Sequence, residues 1–136
     1  DILVGETENE GGKVTKKQDF DPIRKPIRRF AEMSLEEKEA AIRENPAYGQ
    51  VFCRCENVSK AEILQAIHNP LGVHTLTGIK NRTRSMMGRC QGGYCQTRIT
   101  HLLEQELGTA PEDLRYQREG GWLFTGEVRP ETKGEE

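Results

Sequence analysis

From residue 34 to residue 107 the apolar positions recur at helical spacing, and polar or proline punctuation cuts them into four short segments. Ser34-Leu35-Glu36-Glu37 has the form of a capping box. In that arrangement the serine hydroxyl accepts from the third helical N–H, and the glutamate reaches back to the N–H of the cap. It predicts a helix over 35–44, stopped at Asn45-Pro46 because a proline ring disfavours helical geometry in the residue before it. Ser59-Lys60-Ala61-Glu62 repeats the box, followed by Ile63, Leu64 and Ile67 on one face and a stop at Asn69-Pro70. Thr75 or Thr77 caps a third helix through Ile79 to the region of Arg84. The fourth segment is the clearest, with Ile99, Leu102, Leu103 and Leu107 near helical spacing and Gly108 as its C-terminal stop. Beyond it a short helical turn is expected at Pro111 to Leu114, and Gly120-Gly121-Trp122-Leu123-Phe124 reads as a docking strand. No alternating strand pattern falls between residues 34 and 107. The expected fold class is mainly α: a small bundle of short helices with cysteine-bearing loops at helix N-termini and flexible N- and C-terminal extensions.

Composition restricts this picture to one core. A chain of 136 residues has room for one domain, and with only 34% apolar residues the hydrophobic side chains must be concentrated in the central stretch. No apolar run approaches the roughly 20 residues that span a bilayer, which excludes a transmembrane segment from this sequence. Ile2-Leu3-Val4-Gly5 reads like the end of a strand that belongs to something upstream, so the chain is expected to be a fragment of a longer protein. After Gly5, the charged residues with Pro22 and Pro26 read as a linker.

Charge is informative in its distribution. Lys and Arg number 20 against 22 Asp and Glu, a net of −2, which is no signature of a nucleic-acid binder. Yet no acidic residue separates Glu62 from Glu104, while Lys80, Arg82, Arg84, Arg89 and Arg98 all fall in that gap. A basic run is ordinarily a solvated face. This one contains two cysteines and suits bound negative charge, with Arg84 and Arg89 expected to act on whatever the cysteines hold and Arg98 expected to point into solvent.

The four cysteines form two close pairs, Cys53-Arg54-Cys55 and Cys90-Gln91-Gly92-Gly93-Tyr94-Cys95, with none left over. Each pair precedes a predicted helix, whose free N–H groups and dipole stabilise thiolates and anionic groups. Gly88, Gly92 and Gly93 let the loop backbone approach sulfur without a clashing side chain. The one-residue gap between Cys53 and Cys55 falls outside the usual zinc knuckle of two to four intervening residues, so zinc is disfavoured without being excluded. The spacings of plant-type and bacterial ferredoxins and the paired histidines of a Rieske centre are absent; His68, His74 and His101 lie apart from the cysteines. A 2Fe-2S cluster, with two thiolates for each of two irons, matches the partition at one pair per iron, and a disulfide framework is the bland competitor. Arg54, between two candidate ligands, is either a donor to the site or solvent-facing, and Tyr94 is either a shield or simple packing.

Phe52-Cys53-Arg54-Cys55-Glu56-Asn57-Val58-Ser59, Ile79-Lys80-Asn81-Arg82-Thr83-Arg84 and Gly88-Arg89-Cys90-Gln91-Gly92-Gly93-Tyr94-Cys95 resemble the bacterioferritin-associated-ferredoxin-like 2Fe-2S-binding domain. They resemble in particular the version at the C-terminus of FAD-dependent dehydrogenases of the glycerol-3-phosphate dehydrogenase type, including relatives acting on other 2-hydroxy acids. The resemblance covers residues 46–108 well. It implies Cys53, Cys55, Cys90 and Cys95 as cluster ligands and an electron-transfer module that takes electrons from the parent's FAD and passes them to an acceptor protein or subunit. Arg54, Gly88, Arg89, Gly92 and Gly93 are the residues expected to surround the cluster. On this reading residues 1–33 are a linker from an upstream flavoprotein domain, 34–115 the cluster-binding domain and 116–136 a tail. The fragment itself carries no catalytic site, and its partners are the flavin domain and the acceptor, with no nucleic acid. The setting is cytoplasmic, with peripheral membrane contact only through partner subunits. Two positions depart from the family pattern: Met86 stands where a glycine is usual, and Gly5-Glu6 replaces Gly-Pro. The alternative is a zinc-stabilised helical module that binds nucleic acid or protein through Lys80 to Arg98.

Overall fold

The computed structural model describes Ile23 and residues 26–126. The expected strand end at residues 2–5, most of the linker and the last ten residues lie outside the described residues. Helix α1 spans Leu35–Glu44 and begins in a complete capping box, in which the Glu37 N–H donates to Ser34 Oγ at 3.2 Å and the Ser34 N–H donates to the Glu37 carboxylate at 2.8 Å. Asn45 ends it and caps the 3-10 turn Pro46–Gly49, accepting from the Ala47 N–H. Helix α2 spans Lys60–Ile67 with a second capping box at Ser59. Here Glu62 is itself buried, and its carboxylate accepts from both the Ser59 N–H at 2.7 Å and the Ser59 hydroxyl at 2.6 Å. Those bonds satisfy a carboxylate that would be costly to bury alone. Helix α3, Leu76–Thr83, is capped by Thr75, and helix α4, Gln96–Leu107, ends at Gly108 with φ of 61°. The four helices thus lie where the polar punctuation placed them, and the fold is mainly α.

One element differs from expectation. Strand β1, Val51–Cys53, pairs antiparallel with strand β2, Val58–Ser59, with Val51 opposite Ser59 and Cys53 opposite Val58. Strands of three and two residues are too short for a period of two to show in the sequence. Cys53 therefore belongs to a strand, and Cys55 lies in the turn of a hairpin rather than in a loop opening directly onto a helix.

Ile63, Leu76, Ile79, Ile99 and Leu103 are fully buried where α2, α3 and α4 meet, and Phe52, Val58, Met86, Cys53 and Cys95 join the same core. Each of the large aliphatic side chains contributes about 1.5–3 kcal/mol on burial. A second, smaller cluster of Phe30, Ala41, Tyr48 and Ala61 fastens α1 to α2. Phe30, on the 3-10 turn Phe30–Glu32, carries the packed region to a point before Ser34. At the other end, the expected docking strand is present only as isolated bridges: Arg115 pairs with Thr75 on one side and with Trp122 on the other, and the Leu123 N–H donates to the Leu114 carbonyl. These bonds seat residues 115–123 on the N-terminus of α3. Among the described residues, no helix is long and apolar enough to cross a membrane.

Candidate metal centre

Two arms carry the cysteines. The first is the β1–β2 hairpin, with Cys53 at the end of β1 and Cys55 in the turn. The second runs from the end of α3 to Cys95, the N-cap residue of α4. Among the described residues, four non-glycine residues have positive φ: Asn57, Arg84, Met86 and Gln91. Asn57 turns the first arm, and the other three turn the second. The second arm lies so close to the first that a Cβ on Gly88 would sit 2.2 Å from Cys55 Cβ. Only hydrogen fits there. Gly92 has φ of +94°, in the left-handed region that favours glycine, whereas Gly93 is exposed and a Cβ there would meet only the Cys90 carbonyl, at 3.2 Å.

The sulfur contacts run between the arms. The Cys55 thiol donates to Cys90 Sγ at 3.5 Å, and Cys53 lies near enough to Cys95 to act on its ionisation. The hairpin turns Cys53 inward and Cys55 outward, and the start of α4 buries Cys95 while Cys90 stays on the surface. The result is an inner pair, Cys53 and Cys95 at 1% and 0% exposure, and an outer pair, Cys55 and Cys90, open to solvent.

Their acidities diverge for the same reason. The Cys90 thiol is held below its ordinary value, first by the Tyr94 N–H, then by the Cys55 thiol and the Gly92 N–H, all of which donate to its sulfur. The Cys95 thiol is pushed up to about 11, chiefly by burial and next by the neighbouring Cys53, with the Met86 N–H opposing in part. A thiol so placed becomes a thiolate when a cation supplies the charge that water does not.

These donors fit a two-metal group. Two sulfurs on one tetrahedral metal with bonds of about 2.3 Å stand about 3.8 Å apart, close to the 3.5 Å between Cys55 and Cys90.

The arginines are placed otherwise than their sequence positions suggest. Arg98, expected in solvent, bridges the two arms. Its guanidinium donates to the Val51 carbonyl at 2.9 Å, lies 4.5 Å from the Phe52 ring centre and 5.7 Å from that of Tyr94, and reaches the Tyr94 hydroxyl at 3.5 Å. Arg54 also lies over the Tyr94 ring, 4.5 Å from its centre. Arg84, expected to act on the cysteines by its charge, donates to the Glu56 carboxylate at 3.0 Å, which neutralises much of that charge. Arg89 is exposed beside Cys90. His68 and His101 bond Glu106 and Glu104 at the surface and take no part in the site. Sequence reasoning missed Phe52 and the Met86 N–H. The departure at Met86 was the available signal, because its φ of 63° is one that glycine adopts without strain.

Known proteins share these features. The family described as the BFD-like 2Fe-2S binding domain matches residues 51–105. The chain is 37% identical over 121 residues to a glycerol 3-phosphate dehydrogenase of Caloramator mitchellensis, covering 89% of this chain and 25% of that protein. It is 36% identical over 66 residues to an anaerobic glycerol-3-phosphate dehydrogenase of Escherichia coli K12, covering 48% of this chain and 12% of the other. It is also 45% identical over 53 residues to the hydrogen cyanide synthase protein HcnB of Pseudomonas aeruginosa, covering 36% and 11%. The chain thus spans about a quarter or less of these relatives. No solved structure gives a significant match. The matched segment holds the hairpin, both cysteine arms and most of α4, and over residues 51–105 the chain carries a BFD-like 2Fe-2S binding domain.

Proposed function

We propose that this chain is the iron-sulfur electron-transfer module of an FAD-dependent dehydrogenase of the glycerol-3-phosphate dehydrogenase type, and that Cys53, Cys55, Cys90 and Cys95 ligate its 2Fe-2S cluster. The observation that carries this reading is the gathering of four cysteines on two adjoining arms, two buried and two exposed, with the exposed sulfurs of Cys55 and Cys90 3.5 Å apart. When bound, the cluster supplies a one-electron store between a two-electron flavin and an acceptor. The chain's own residues supply the rest. The N–H groups of Gly92 and Tyr94 stabilise thiolate charge at Cys90, and the Met86 N–H does so at Cys95. Gly88 and Gly92 bring the arms together, Gly93 keeps the second turn open, and the core excludes water from the inner pair. Arg54 and Arg89 place positive charge at the outer one. Substrate chemistry belongs to the flavin portion of the parent, which oxidises the secondary alcohol of glycerol 3-phosphate or of a 2-hydroxy acid. That portion and an acceptor protein are the partners, in a cytoplasmic setting with peripheral membrane contact through other subunits.

Anaerobic absorption with iron and sulfide assays on freshly prepared protein tests this reading. The expected result is a red-brown protein with two irons and two sulfides per chain, and loss of both from each of the four single Cys→Ala variants. A colourless protein holding stoichiometric zinc would overturn it.

A further inference from the structure

The arginines of the described region fall into two groups. Arg28, Arg29, Arg43, Arg84 and Arg115 each lie within 4 Å of a carboxylate. The others have no carboxylate partner among the described residues, and three of these, Arg54, Arg89 and Arg98, flank the cysteines. Two of the three are held in place by aromatic rings. Arg54 and Arg98 stack on Tyr94, which is 40% exposed, and Arg98 is also fixed by Phe52 and the Val51 carbonyl. A guanidinium fixed in this way loses little freedom when its outer edge binds a carboxylate. Arginine and tyrosine on a rigid element are also the residue types that dominate protein interfaces. The outer pair, Cys55 and Cys90, is exposed, each next in sequence to one of these arginines, while the inner pair is sealed by the core.

We propose that the face formed by Arg54, Tyr94, Arg98 and Arg89 is the docking surface for a carboxylate-rich protein, the electron acceptor, which is thereby seated against the exposed sulfur pair. The inference rests on the electron-transfer reading and adds the site and chemistry of the partner. A protein is favoured over nucleic acid because the fixed cations are few and grouped around two thiols, instead of forming the long basic stripe that tracks a phosphate backbone. Unmatched charge on both sides raises the rate of encounter and orients the partner.

The test uses the full 136-residue chain, with visible absorption and iron content recorded for every sample. Fluorescence anisotropy follows a labelled poly-L-glutamate peptide and, separately, a labelled DNA duplex of equal charge, each at about 50 and 200 mM salt. The expected result is peptide binding that weakens with salt. Arg54→Gln and Arg89→Gln each lose about threefold in affinity, as fits a surface ion pair. Arg54→Lys keeps most of the binding, and Arg43→Gln, on helix α1 and already paired with Glu39, binds like the wild type. Arg98 is left intact because its removal would loosen the arms. Equal binding by the wild type and both glutamine variants would overturn the proposal, as would no binding at either salt. Tighter binding of the duplex, weakened by the same substitutions, would assign the face to nucleic acid and overturn it too. Failure of the cluster reading shows separately, as absent colour and iron.

Discussion

Gly88→Ala is the smallest change that should empty the metal centre. The added methyl carbon would stand 2.2 Å from Cys55 Cβ and 3.4 Å from both the Cα and the carbonyl carbon of Cys55. Non-bonded carbons settle at about 3.5–4.0 Å, so the arms must part by about 1.3 Å or more. The obstacle is not the far end of a flexible side chain. Cys55 Cβ is one bond from the backbone, and turning the side chain leaves it where it is. Either the hairpin turn or the second arm has to move, and with it one sulfur of the 3.5 Å outer pair. Without metal the cost is that of overpacking, about 1–3 kcal/mol, and it is relieved as the arms open. With metal the arms are held at a fixed sulfur spacing, so the strain falls on the cluster. The neighbouring glycines grade the effect. Gly93→Ala meets only the Cys90 carbonyl at 3.2 Å in an exposed turn, whereas Gly92→Ala puts a side chain at φ of +94°, at about 1–2 kcal/mol. Iron per chain and visible absorbance should therefore fall in the order wild type, Gly93→Ala, Gly92→Ala, Gly88→Ala. Far-ultraviolet dichroism should hold in all four, because the α2–α3–α4 core is untouched. A Gly88→Ala protein with wild-type iron content and an unchanged visible spectrum would refute the reasoning.

The other predictions concern how the arms are held. Arg98→Ala removes two hydrogen bonds, the longer one to the Tyr94 hydroxyl, and two ring contacts, together on the order of 2 kcal/mol at an exposed site. Iron should leave faster to a chelator, and Arg98→Lys should not restore retention, because an ammonium does not stack and bond in one plane; wild-type release from Arg98→Ala would dismiss the bridging role. Met86→Gly relieves about 1 kcal/mol of left-handed strain but empties a buried side-chain site, which costs about 2–5 kcal/mol. Denaturant melts should show net destabilisation, and a stabilised variant would mean the strain outweighs the packing. Glu37 has a carboxyl held below its ordinary 4.5, first by the Ser34 N–H and then by the Ser34 hydroxyl. Its stabilising contribution is complete above pH 4.5 and is lost as pH falls through the lowered folded value. Glu37→Gln should remove that part of the acid dependence of stability, and identical acid limbs for variant and wild type would exclude the linkage.

Local chemistry was legible in the sequence because its causes are local. A capping box joins residues three apart, and a proline acts on the residue before it, so Ser34, Asn45, Ser59 and Gly108 sit at the helix ends that the sequence predicts. The cysteines were equally legible as a two-plus-two donor set, and the resemblance to the family rests on the same residues. The hairpin was not, since its five strand residues carry no period of their own and are held by pairing with one another.

What the tertiary structure alone decided is which residues meet. Cys55 meets Cys90 across the motifs because the hairpin faces Cys53 inward and Cys55 outward, a choice fixed by contact with an arm some 35 residues away. Arg98 bridges the arms because Phe52 and the Val51 carbonyl, on a strand far earlier in the sequence, present themselves to it. Arg84 is matched by Glu56, 28 residues earlier, although its own segment holds no acid. Short-range bonding depends on neighbours that the sequence states in order. Burial, charge pairing and ring stacking depend on neighbours that only folding brings together.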